Sequence, residues 1–197
     1  MKKLVLAVLA IIVMAGLGFA QGAEMKVKLG LETQNSVINQ WNNVTGTNNG
    51  IAAAAEILFS AGDTVKIGPG FGVSFSRDAK FPDYEKAYGI SESISMIPIY
   101  VTMEINPIKA APGVFFKGNI GCVIATVSET NPYNLLIGPT DTISSHYGGI
   151  YYGLGAGYEF PFGLFFDALY NWNTLFVDSV VGTYGKLTIS AGYKFNL

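Results

Sequence analysis

Charge is scarce in this sequence. Only 13% of its 197 residues are Asp, Glu, Lys or Arg, against roughly a quarter in an ordinary soluble domain. Such a chain has too few charges to cover a water-facing surface, so apolar surroundings are implied. The net charge is −2, which gives no basic field, and no nucleic-acid partner is expected. A single cysteine, Cys122, excludes an internal disulfide and any multi-cysteine metal site. Neither a metal nor another cofactor is expected. After the first twenty residues no apolar run approaches the roughly 20 residues of a spanning helix.

What is present favours strands and tight turns. Glycine is abundant at 24 residues and aromatics make up 13%. The first twenty residues look like an export signal: Lys2 and Lys3 are basic, Leu4 to Leu17 is uncharged, and Gly18 and Ala20 are small residues at the −3 and −1 positions. Cleavage after Ala20 would leave residues 21–197 as one mature domain. Ala23 is a poorer cleavage position, and with no cysteine following, a lipid anchor is unsupported. An exported apolar chain without a second long apolar run is either a membrane barrel or a soluble barrel with an apolar interior.

Eight segments of about ten residues alternate with period 2, as strands with one apolar and one polar face must. In the last, Leu187, Ile189, Ala191, Tyr193, Phe195 and Leu197 oppose Lys186, Thr188, Ser190, Gly192, Lys194 and Asn196. Leu164, Phe166, Ala168, Tyr170 and Trp172 oppose Asp167, Asn171 and Asn173, and Ile150 to Phe160 alternates against Tyr151, glycines and Glu159. The earlier segments run through Val27–Leu31, Ile67–Phe75, Ile97–Ile105 and Phe116–Ile124. The second segment, Ile51–Phe59, contains four alanines that suit a helix. It is read as a strand because Ile57 and Phe59 oppose Glu56 and because antiparallel closure needs an even count.

Short connections, Ala61–Asp63, Asn106–Pro112 and Pro161–Gly163, alternate with longer polar ones near Ile38–Asn49, Arg77–Ser93 and Ser128–Ser145; Phe176–Val181 is shorter. That alternation fits short periplasmic turns and longer outer loops. Phe59, Tyr158, Phe160, Tyr193 and Phe195 then fall near one membrane edge, and Phe75, Tyr152 and Trp172 near the other, where amphipathic rings belong. The fold expected is all-β: an eight-stranded antiparallel up-and-down transmembrane barrel.

The chain ends Ser190-Ala191-Gly192-Tyr193-Lys194-Phe195-Asn196-Leu197. This resembles the C-terminal assembly signal of outer-membrane barrels at Ser190, Gly192, Phe195 and Leu197, with Leu where Phe is usual. The mature chain is similar to small barrels of the OmpA, OmpX or OmpW type, although only the last strand carries a specific motif. The resemblance implies the bacterial outer membrane as location, its lipid as surroundings, the barrel assembly machinery as a partner during biogenesis, and a monomer.

On the polar face Lys26, Lys28, Lys66, Lys117, Lys186 and Lys194 are nearly balanced by Glu32, Glu56, Glu104, Glu159 and Asp167. In a narrow lumen such charges must pair, and eight strands leave room for little beyond side chains. A plugged lumen in a structural barrel, its outer loops free for surface contacts, is therefore expected ahead of a narrow channel. Pro98, inside the fourth strand, favours lateral passage of small hydrophobic compounds as the alternative. Gly68, Gly70 and Gly72, like Gly153, Gly155 and Gly157, have the wrong spacing for a phosphate loop and are read as making room for the long Lys and Glu side chains opposite.

No catalytic residue is assigned, and the chain is expected not to be an enzyme. His146 follows Ser144 and Ser145, but Gly148 stands where a lipid A deacylase would carry serine, and parity puts His146 and Glu159 on opposite faces. Cys122 falls on the lipid side as a small apolar residue. Asn43-Val44-Thr45 fits a glycosylation acceptor that has no meaning in a bacterial protein.

Overall fold

The computed structural model describes residues 22–38, 43–44, 48–76, 92–107, 111–130, 142–177 and 180–197. The expected leader, residues 1–20, lies outside them, as do most residues of the longer connections. The strands are β1 (Ala23–Ile38), β2 (Asn43–Val44), β3 (Asn48–Ser60), β4 (Val65–Ser76), β5 (Glu92–Ile105), β6 (Val114–Thr130), β7 (Thr142–Glu159), β8 (Leu164–Val177) and β9 (Val180–Asn196). Apart from the two-residue β2, which pairs only with the far end of β1, each strand pairs antiparallel with the next, and β9 returns to β1. The wall is a closed eight-stranded barrel with no open sheet edge along it.

The register sets the strand tilt. Partners followed once round the wall lead from Ala23 through Phe59, Ile67, Met103, Gly118, Leu154, Tyr170 and Leu187 to Thr33, ten residues further along β1. With a rise of ~3.4 Å per residue and strands ~4.8 Å apart, that stagger tilts the strands by about 40°.

The barrel is inside out relative to a water-soluble protein. Leu31 is 70% exposed while Lys26 is 1% exposed, the reverse of the usual order. This removes the alternative of a soluble barrel, which needs its apolar face inward. On β7 the outward residues Tyr158, Ala156, Leu154, Tyr152 and Ile150 are followed by Gly148, His146 and Ser144. On β6 the apolar row ends at Ile124 before Thr126, and on β5 at Ile97 before Ser95. From Tyr158 to Ile150 the wall rises ~27 Å along the strand and ~20 Å along the barrel axis. That is close to the roughly 25 Å apolar band of outer-membrane barrels.

Turn chemistry closes the short end. Gly62 and Gly163 adopt φ of 91° and 93°, the region glycine enters without a Cβ clash. Ala61 N–H donates to Val65 O and Phe160 N–H to Leu164 O, each at 2.8 Å. At the other end the strands outrun the sequence reading. Ser128 pairs with Ser144 and Thr130 with Thr142, inside the stretch expected to be loop. Above the apolar belt the outward face carries polar residues such as Ser128 and Ser144, so the alternation that marks a strand disappears while the pairing continues. The alanine run of β3 pairs along its length with β1 and, from Ala52 to Ala55, with β4, tertiary pairing overriding helix propensity.

Candidate functional site: the filled lumen

Alternate residues of all eight wall strands meet on the barrel axis, and from the turn end upward they form successive layers. At the mouth Lys66 donates to Glu24 at 2.6 Å, and Lys194 bridges Glu159 at 2.6 Å and Glu24 at 3.5 Å. Above them Lys26 reaches Glu104 at 2.7 Å and Glu159 at 3.0 Å, and lies over the rings of Phe115 and Phe165. At the centre Lys117 donates to Glu56 and lies 3.3 Å from Glu104 and 3.7 Å from Asp167. Lys28 donates to Asp167 at 2.6 Å and sits 3.6 Å from Glu56, which also accepts from Tyr100 Oη at 2.8 Å.

Neutral groups follow. Tyr151 Oη donates to Asn171 Oδ1 at 2.7 Å, and Asn171 Nδ2 to Thr188 Oγ1 at 2.9 Å. Glu32 then accepts from Ser74, from Lys186 at 3.2 Å and from Thr188 at 3.3 Å. Toward the outer end the interior turns apolar. Ile94, Met96, Val123, Ala125 and Leu175 pack with Tyr100 and Tyr151, and Tyr147 and Tyr184 lie against them.

All eleven predicted lumen charges face the axis, and each lysine has a carboxylate within ion-pair distance. Glu24 joins them, giving six lysines and six acids among the described residues. Its parity with Lys26, Lys28 and Glu32 was the available signal. The apolar part of the interior has no such signal, because Leu58, Phe115, Phe165 and Leu169 are buried on the face that also carries the charges.

The glycine reading needs correction. A Cβ at Gly157 would run into the Phe115 ring, one at Gly70 would lie 2.5 Å from the Tyr100 ring, and one at Gly153 would press on the Asn171 amide. The space is filled mainly by rings, an amide and cross-strand backbone; Glu56 takes only part of it, at Gly70. The lumen contains a cavity of about 50 Å³ bordered by Glu32, Ser74, Asn173, Lys186 and Ser190. At ~10–15 Å³ per water position it has room for a few waters.

The C-terminal residues divide between the two faces. Ser190 is buried inside, and a Cβ at Gly192 would lie 2.5 Å from the Phe165 ring. Phe195 and Leu197 point outward, and Leu197 N–H donates to Ala23 O at 2.9 Å, next to the closing seam between β9 and β1.

His146 is exposed on the outward face, its Nδ1 3.0 Å from Thr126 Oγ1. Glu159 lies thirteen residues further along β7 and is engaged by Lys26 and Lys194. That is ~44 Å of strand, so the two form no acid–base pair. Cys122 is exposed on the lipid-facing side. Among the described residues no group of three or more His, Cys, Asp or Glu could hold a metal ion.

The ladders on both sides of β4 are interrupted. Its ladder with β5 skips Gly72–Val73 opposite Ile97–Pro98, and its ladder with β3 skips Gly68–Pro69 opposite Ile57–Leu58. Each gap contains a proline, which has no N–H to give. Pro69 was not singled out from the sequence.

No protein-family model matches the chain, and no curated protein does. Solved structures do. Neisserial surface protein A is 15% identical over 89% of this chain and 100% of its own, with a TM-score of 0.62. The attachment invasion locus protein Ail of Yersinia pestis is 14% identical, covering 88% of this chain and 99% of its own, with a TM-score of 0.59. A major outer membrane protein from Thermus thermophilus is 18% identical over 88% and 99%, with a TM-score of 0.57. This chain has the fold of a small eight-stranded outer-membrane barrel. At these identities the likeness carries the fold and no activity.

Proposed function

We propose that this chain is an integral bacterial outer-membrane barrel with a structural role, its lumen closed and its outer strand ends and loops available for contacts at the cell surface. The observation that carries this reading is two barriers in series. The lower lumen is crossed by ion pairs of both signs, whereas a selective pore needs a ring of one sign lining open water. The upper lumen is filled by the cluster of Ile94, Met96, Val123, Ala125 and Leu175. The purified protein in planar bilayers is expected to give no stable large conductance. Reproducible ion-selective steps would overturn the reading.

A second reading rests on the β4 wall. The lumen cavity is bordered by Ala53, Gly72, Val73 and Pro98, residues at or beside the interrupted ladder. A small hydrophobic compound could leave the barrel sideways there. Uptake of a lipophilic dye into protein-containing vesicles, lost on cross-linking β4 to β5, would promote it.

A further inference from the structure

Among the described residues the outer wall carries a concavity within the apolar belt. It is a groove of about 440 Å³ lined by Met25, Ala55, Ile57, Pro69, Phe71 and Ile99, with Gly70 and Ile97 completing it. Its origin is local. Ala55 puts a methyl group between the larger neighbours Ile57 and Phe71, Pro69 contributes a flat ring, and Gly70 contributes no side chain. Phe71, Ile97 and Ile99 are 55%, 43% and 40% exposed, so the walls stand clear of the floor. The groove starts at Met25, one residue from Glu24 at the mouth, and ends near the middle of β5.

We propose that this groove holds one acyl chain of a phospholipid in the periplasmic leaflet. The inference rests on the membrane-spanning fold and on neither reading of the lumen. The groove is continuous with the lipid-facing belt, and none of its side chains is polar. Its low end places a headgroup at the periplasmic edge. A second barrel is a poor occupant, because its own wall is convex and would bridge the concavity instead of filling it. Apolar surface alone also gives two barrels no reason to associate in lipid. A single flexible chain contacts floor and both walls, gaining dispersion contacts that a chain on the convex wall does not make.

The test is native mass spectrometry after reconstitution with phosphatidylethanolamine vesicles and extraction into a mild detergent. The unmodified protein is expected to retain one phospholipid. Ala55→Phe, which fills the floor, is expected to retain roughly tenfold less, equivalent to about 1.4 kcal/mol of chain binding. Ala168→Phe, also outward-facing but on β8, is expected to behave like the unmodified protein. Equal retention by Ala55→Phe, no retained lipid on the unmodified protein, or a glycolipid or second barrel in its place would each overturn the proposal. Should Ala55→Phe fail to fold, Phe71→Trp is read instead against a chain-brominated phosphatidylcholine. Quenching at Phe71→Trp should saturate at a lower mole fraction of brominated lipid than quenching at Trp172. Coincident curves would overturn the proposal equally.

Discussion

The pair of Lys117 and Glu56 offers the sharpest test of the lumen lattice. Both side chains are fully buried, and Lys117 has three carboxylates around it. Replacing Glu56 by Gln keeps the shape but only one acceptor oxygen, where Lys117 and Tyr100 now donate to different oxygens, and it leaves the central layer one positive charge in excess. Losing one partner of a buried pair costs about 3–5 kcal/mol, and the retained amide puts Glu56→Gln near the lower end. Lys117→Met leaves Glu56, Glu104 and Asp167 to share Lys26 and Lys28, with a cost in the same range. The double variant is neutral again. It should therefore cost about 2 kcal/mol or more less than the sum of the single variants. The assay is equilibrium urea unfolding in thin bilayers, followed by tryptophan fluorescence and by heat-modifiable gel mobility. Costs that add to within about 0.5 kcal/mol would refute the idea that charge balance holds this layer together. So would single variants of unchanged stability.

Three further outcomes follow from the same geometry. Gly157→Ala should destabilise by about 1–3 kcal/mol through overpacking against Phe115; Gly118→Ala, whose Cβ would meet nothing closer than 3.7 Å, should be nearly neutral in the same unfolding assay. Lipid-facing Ala168→Arg should cost about 2–4 kcal/mol, while Ala52→Ser beside the lumen cavity should cost less than about 1 kcal/mol; equal costs would mean that the two faces are misassigned. Deleting Phe195 to Leu197 removes outward residues beside the β9–β1 seam, so the product should be found degraded in the periplasm; normal assembly in outer-membrane fractions would contradict a targeting role for that segment.

The fold was legible because a membrane barrel writes its two faces into alternate residues. Val27, Leu29 and Leu31 against Lys26, Lys28 and Glu32 can be read without coordinates, and so can the eleven inward charges. Their pairing could not be read. Lys26 and Glu104 meet across 78 positions of sequence, and only the ten-residue stagger of the wall brings them to one height. The upper lumen was illegible for a different reason. Ile94, Met96 and Leu175 are apolar residues facing inward, so they share a chemistry with the outward rows and differ from them only in parity. Strand ends beyond the belt were lost where polar residues such as Ser128 and Ser144 occupy the outward face.

The lattice and the belt constrain each other through register. Slipping β1 by one residue would carry Lys26, Lys28 and Glu32 to the lipid face and bring Val27, Leu29 and Leu31 into the lumen, because side chains alternate with period 2. A lysine near the bilayer midplane costs about 2–4 kcal/mol, and each displaced lysine also abandons its carboxylate inside. A slip of two residues restores the faces but shifts the heights, so Lys26 moves away from Glu104 and Lys28 from Asp167. The apolar belt therefore selects the face and the ion pairs select the height. The pairs need not add net stability to do this, since a buried pair often does no better than an apolar one of the same volume. Their contribution is the penalty on every other register, which a lumen lined only with leucine would not impose.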